Sequence, residues 1–297
     1  MTETNPTIAT VTLTDQGLIR ASGEEAASFL HNLLTNDIAH LADGQARHAG
    51  LCTPKGRLIA SFLIWKENTD YLLMVSADIL PAILKKLSMY VLRSKVKLTD
   101  ASAERTLLGV IGGNLGPAAA MTTAPLAGGA AIRLDDERSV LALPAGQPRP
   151  ELPPAGRLED WHLAEIRAGI PRIVAATQEA FTPQMVNYEL PAVGGVSFQK
   201  GCYPGQEIVA RTQYLGKVKR RMFRVKLDDE FPPGADVFTR EAGDQHCGAV
   251  VLTAPSTNGG YESLLVVQSS GAEEDAIHVG APGGAHARLL PLPYPVE

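Results

Sequence analysis

Apolar and polar positions alternate with a period of two at the start of the chain. Ala9, Val11 and Leu13 mark a half-buried strand there, and Asp15-Gln16-Gly17 turns it into a second one. The period then changes to a helical one. Ala26, Phe29, Leu30, Leu33 and Leu34 make one apolar face, opened by Ser22 with Glu25 three residues on, a capping-box pattern. Thr35-Asn36-Asp37 stops that helix, because short polar side chains bond to nearby backbone. A structural role is therefore expected for Asp37 ahead of a catalytic one.

Leu51–Thr53 and Leu58–Trp65 read as strands joined by the turn Pro54-Lys55-Gly56, and Tyr71–Val75 pairs back across a polar loop. Ser76 stands where it would cap a helix carrying Leu80, Ile83, Leu84, Leu87 and Val91, and Val96 and Leu98 alternate in the next strand. Strands, helix and strand in this order predict an α+β half with a ferredoxin-like sheet. Leu107–Ile111 is a further strand, followed by Gly112-Gly113-Asn114-Leu115-Gly116. Those glycines miss the dinucleotide spacing, and no acidic residue ends a second parallel strand, so no nucleotide site is expected.

Ile132–Leu134 and Val140–Leu143 form a hairpin, and residues 144–154 (PAGQPRPELPP) read as a linker. A helix over 157–168 stops at Gly169-Ile170-Pro171. From about Met222 the pattern is short strands, at 223–227, 248–253, 264–268 and 287–290, between Pro/Gly-rich turns. They predict a small antiparallel barrel or sandwich.

Composition narrows the class. At 297 residues there is room for two or three domains with their own cores, and the net charge of −5 gives no global attraction to DNA or membranes. Met1–Thr7 is polar and no apolar run reaches a membrane span, so neither a signal peptide nor an anchor is expected. Cys52, Cys202 and Cys247 make no disulfide framework and no closely spaced metal-ligand set, which points to a reducing cytoplasm. Scattered histidines and the lack of hydrolase, Walker or zincin motifs exclude several enzyme classes. Locally the balance reverses: residues 200–226 carry eight basic side chains against one acidic. Such a run is either a solvated face or an anion-attracting one.

The candidate chemistry sits inside that run, in Lys200-Gly-Cys-Tyr-Pro-Gly-Gln-Glu207. Pro204-Gly205 has the form of a tight turn, and 206–215 (QEIVARTQYL) that of a short helix with Ile208, Val209 and Thr212 inward. Cys202 would then precede a helix start and lie near Lys200, two features that favour a thiolate. An inert, packed thiol is the alternative.

The stretch 194–221 (GGVSFQKGCYPGQEIVARTQYLGKVKRR) resembles the signature of the YgfZ-like folate-binding family, relatives of the glycine-cleavage T-protein. The likeness extends to FLHNLLTNDI, WHLAEIRAGIPRI, FTPQMVN and the closing LPLPY. It implies an α+β three-domain ring of the T-protein type, with a folate-binding region over 1–221 (two interleaved α+β domains) and a C-terminal β-barrel over 222–297. It implies tetrahydrofolate as ligand, Trp161 as its aromatic contact, and Tyr203, Gln206, Glu207 and Arg211 as further contacts. Gln16 stands where some members carry a second tryptophan. The resemblance implies a monomeric, cytoplasmic accessory protein for iron–sulfur enzymes, including those modifying tRNA, with Cys202 and Lys200 as the reactive pair. The rival is folate-dependent aminomethyl transfer, but the stretch 55–61 has Ala60 and Ser61 where that chemistry needs a carboxylate.

Overall fold

The computed structural model describes residues 8–113, 115–216, 218–273 and 276–296. Asn114 of the glycine-rich stretch, Lys217 of the basic run and the polar residues 1–7 lie outside them. The described residues divide into two compact units: one within 8–31, 37–48 and 62–161, the other within 32–36, 49–61 and 162–296.

In chain order the elements begin β1 (Ala9–Thr12), β2 (Gln16–Ser22), α1 (Ala26–Leu33), β3 (Ala46–Cys52), β4 (Leu58–Glu67) and β5 (Asp70–Ser76). There follow α2 (Leu80–Val91), β6 (Lys97–Asp100), β7 (Arg105–Ile111), β8 (Thr122–Leu126), β9 (Gly129–Arg133) and β10 (Arg138–Pro144). They build two five-stranded sheets, ordered β3-β4-β5-β2-β6 and β1-β7-β10-β9-β8. On one face of the second sheet Val11, Gly109 and Val140 lie side by side in register, and Val11, Val140 and Trp161 share one apolar core. The opposite face packs a separate core around Leu108, Val110 and Leu141. That split follows from the period-two alternation of side chains in β7.

Two expected helix caps are absent. Ser22 closes β2, and the Glu25 carboxylate accepts the Lys95 amide N–H at 2.5 Å. Ser76 closes β5, its hydroxyl makes no hydrogen bond among the described residues, and α2 starts at a proline-bearing turn capped by Ile79. A proline in the first turn has no N–H needing a cap, so α2 forms without one. The stretch expected as a free linker is tied down near its end: Thr10 donates its N–H to the Pro154 carbonyl at 2.8 Å, and Leu152 packs on the second core.

The rest of the chain gives α3 (Leu158–Arg167), α4 (Gln206–Leu215), β11 (Arg220–Leu227), β12 (Asp236–Thr239), β13 (Gly248–Pro255) and β14 (Tyr261–Gln268). It ends with α5 (Ser269–Glu273), β15 (Ile277–Val279), β16 (Ala285–His286) and β17 (Arg288–Leu290). The seven strands form an antiparallel sheet ordered β16-β15-β12-β13-β14-β11-β17. Its two edge strands are consecutive in the chain, separated only by buried Ala287, whose N–H donates to the Ile277 carbonyl at 2.9 Å. The sheet thereby curls into a nearly closed barrel with a core of its own, as the strand pattern predicts. No helix among the described residues is long and apolar enough to cross a membrane.

Candidate functional site

The Cys202 stretch folds as its sequence predicts. The Tyr203 carbonyl accepts the Gln206 N–H at 3.1 Å, closing a turn with Pro204 and Gly205 at its centre. Gly205 has φ 84 and ψ −1, the left-handed second position of a type II turn, and caps α4. Non-glycine residues pay for that geometry with a clash at Cβ. A second reason for glycine comes from the turn beneath: a Cβ on Gly205 would lie 2.4 Å from the Thr53 carbonyl oxygen and 2.8 Å from Gly56. The β3–β4 turn is thus the floor of the cysteine loop.

Other segments hold the loop from the side. The Thr35 hydroxyl donates to the Gly195 carbonyl at 2.6 Å and accepts the Gly50 N–H at 2.7 Å; the Asn36 amide donates to Gly194 at 2.7 Å. Lys200 is buried, donates from Nζ to the Leu34 carbonyl at 2.9 Å, and lies 4.7 Å over the Tyr203 ring. Gln184 donates to the Val209 carbonyl at 2.7 Å, and Asn187 to Met222 at 2.9 Å, so FTPQMVN brackets α4 and β11. Thr35 and Asn36 therefore act as structural clamps. Asp37 accepts the His40 backbone N–H at 3.2 Å, the local backbone bond that the helix-stop reading expects, and also pairs with His31 at 3.0 Å and His40 at 2.8 Å.

Cys202 is exposed, whereas Cys52 and Cys247 are buried. Burial pushes the Cys52 thiol up to about 12 and also raises the Tyr203 phenol, whose hydroxyl has no hydrogen-bond partner among the described residues. The helix after the turn corrects one expectation. Val209 is its only buried residue, while Ile208 is 40% exposed with its Cβ against Gly56. The Ile208 Cβ and Cγ2 pack over Gly56, and the side chain is otherwise partly open to water.

The residues expected to contact folate do not share one environment. Tyr203 is buried, Gln206 half-buried, and Glu207 and Arg211 are exposed on α4. Trp161 is 1% exposed and packs against the backbone of Gly109, where a Cβ would stand 2.2 Å from the indole. The Arg138 guanidinium is 5.9 Å from its ring centroid, and Nε1 has no hydrogen-bond partner among the described residues. A pterin stacks on a ring face that solvent can reach. The Trp161 ring presents none, so the residues around it do not fit direct contact with folate. Gly109 was the residue the sequence reading missed; a glycine inside a strand is the signal of a close approach. In the stretch 55–61, Ala60 is buried and the Ser61 hydroxyl accepts the Ile173 N–H at 2.9 Å.

The sequence model of the GCVT N-terminal domain family matches residues 2–135. Over 98% of its length the chain is 30% identical to the tRNA-modifying protein YgfZ of Photobacterium profundum, covering 93% of that protein. This chain belongs to the YgfZ family. The Vibrio vulnificus YgfZ is 29% identical, with 98% and 94% of the two chains covered. An uncharacterized Haemophilus influenzae protein is 34% identical over 76% of this chain and 77% of its own. The aminomethyltransferase T of the Bartonella henselae glycine cleavage system shares the fold, with a TM-score of 0.71 at 18% identity over 96% of this chain and 85% of its own. In this YgfZ-family chain the cysteine loop, its glycine floor and its threonine–asparagine clamp are one assembly drawn from three separate sequence segments.

Proposed function

We propose that this chain serves tRNA modification as an accessory protein to iron–sulfur enzymes, acting as a cytoplasmic monomer with the thiol of Cys202 as its reacting group. The observation that carries the reading is the contrast among three cysteines: only Cys202 is exposed, and a glycine-floored loop presents it. Thiols act as nucleophiles and as ligands to soft metals, and both roles need access. One cysteine cannot hold a cluster by itself, so a partner's ligands would share it. Lys200, bonded to Leu34 and set over Tyr203, would keep the loop in shape from below. Tetrahydrofolate is the ligand the family resemblance implies; no step of the proposal runs through it.

Aminomethyl transfer finds no support in the stretch 55–61, where Ala60 has no acceptor and the Ser61 hydroxyl is engaged by Ile173. A deletion strain scored for iron–sulfur enzyme activity and tRNA modification tests the proposal. Wild type should restore both and Cys202→Ser neither, while the variant protein stays folded. Full complementation by Cys202→Ser would overturn it.

A further inference from the structure

Helix α4 is built inside out for a surface helix. Glu207, Ile208, Arg211, Tyr214 and Leu215 are all exposed and follow at i, i+1, i+4, i+7 and i+8, which is one face. Ile208 is 40%, Tyr214 69% and Leu215 85% exposed, while Val209 alone is buried. Ile208, Tyr214 and Leu215 left in water on a face that also carries Glu207 and Arg211 mark an interaction surface of mixed apolar and charged character. The Phe198 ring meets Tyr214 edge-on, with centroids 5.9 Å apart, and extends the patch.

Three cations lie on or near the helix. Arg211 lies on the face itself, Lys55 is exposed in the turn whose Gly56 meets Ile208, and Lys219 follows the helix end. None of the three belongs to an ion pair among the described residues, and Glu207 is the one acid on the helix. Unneutralised cations beside the exposed Tyr214 ring, which half-buried Phe198 supports edge-on, suit a strand of phosphates carrying unpaired bases: the cations meet the backbone and the Tyr214 ring stacks on a base. An acidic protein would use the cations but would leave the flat face of Tyr214 without a specific partner.

We propose that the solvent face of α4, with Lys55 and Lys219 at its margins, docks unpaired RNA beside Cys202. The inference rests on the tRNA-modification reading and gives that reading its contact surface. The overall charge of −5 makes this a local patch, so binding should be sensitive to salt.

The test uses the full chain, a fluorescein-labelled single-stranded RNA oligonucleotide, the same sequence as a duplex, and an unmodified tRNA transcript, followed by anisotropy across a salt series. Wild type should favour the single strand over the duplex. Tyr214→Ala should weaken binding about tenfold with the salt slope unchanged. Lys55→Glu with Arg211→Glu should weaken it at least about tenfold and flatten the slope by about two contacts. All three positions are exposed, so melting temperature should hold and report intact folding. The inference is overturned if wild type binds no RNA, if the variants bind as wild type, or if the same variants instead lose a co-purifying protein. Its failure is separable from that of the functional reading. RNA binding as described with full rescue by Cys202→Ser sinks only the thiol role, and unaltered binding by the variants with no rescue sinks only the docking face.

Discussion

The backbone of Gly205 passes so close to the Thr53 carbonyl oxygen that a Cβ at position 205 would stand 2.4 Å from it. This contact couples the cysteine loop to the β3–β4 turn. Gly205→Ala adds a methyl group against fixed backbone at a φ of 84, where left-handed strain alone costs about 1–2 kcal/mol. We expect a loss of about 2 kcal/mol or more in urea unfolding, together with altered Cys202 alkylation kinetics. Wild-type stability in the variant would show that the loop and its floor separate freely.

Accessibility predicts the order of thiol reaction. At pH 7.5, a limiting amount of iodoacetamide should label Cys202 before Cys247 and Cys52, read by peptide mass spectrometry. Burial holds Cys52 protonated until about pH 12, against 9.0 for an ordinary thiol, which keeps it unreactive in the folded chain. Equal labelling of the three would refute the contrast on which the thiol role is built.

His48 should make the protein acid-labile. Desolvation, reinforced by the positive charge of Arg138, lowers its imidazole from 6.5 to about 4 against the opposing backbone hydrogen bond with Phe62. The unfolded chain therefore takes up a proton that the folded chain refuses. The contribution is complete above about pH 6.5 and is lost as pH falls towards 4. Melting temperature followed from pH 7 to 4 should fall less steeply in His48→Gln than in wild type; parallel curves would assign the acid lability to other groups.

Trp161 is expected to matter for stability and not for ligand contact. Replacing it with alanine removes a fully buried ring packed on Gly109, a change that costs about 3–5 kcal/mol. Trp161→Phe keeps most of the packing. Calorimetric titration with tetrahydrofolate should give Trp161→Phe the wild-type affinity to within about twofold. A large loss of affinity in that folded variant would return the ring to the ligand site.

Local chemistry made much of this chain legible in its sequence. Pro204-Gly205 specifies a type II turn because proline fixes one φ and glycine alone readily takes the other, and α4 begins where the turn ends. The helical stop at 35–37, the hairpin of β9 and β10, and four of the barrel strands follow from periodicity and turn residues in the same way. What tertiary structure decided were long-range meetings. Thr35 reaches Gly195 across 160 residues, and Gly56 lies under Ile208, which keeps an apolar side chain in water that periodicity would bury. Trp161 reads as an amphipathic-helix residue with a free choice of role until Gly109 is found beneath it. Short strands such as β12, β15 and β16 carry too few residues to show a period, and they exist because their neighbours in the barrel complete their hydrogen bonds. Sequence fixes a backbone's local preferences, whereas burial depends on which distant surface arrives, and no local pattern encodes that.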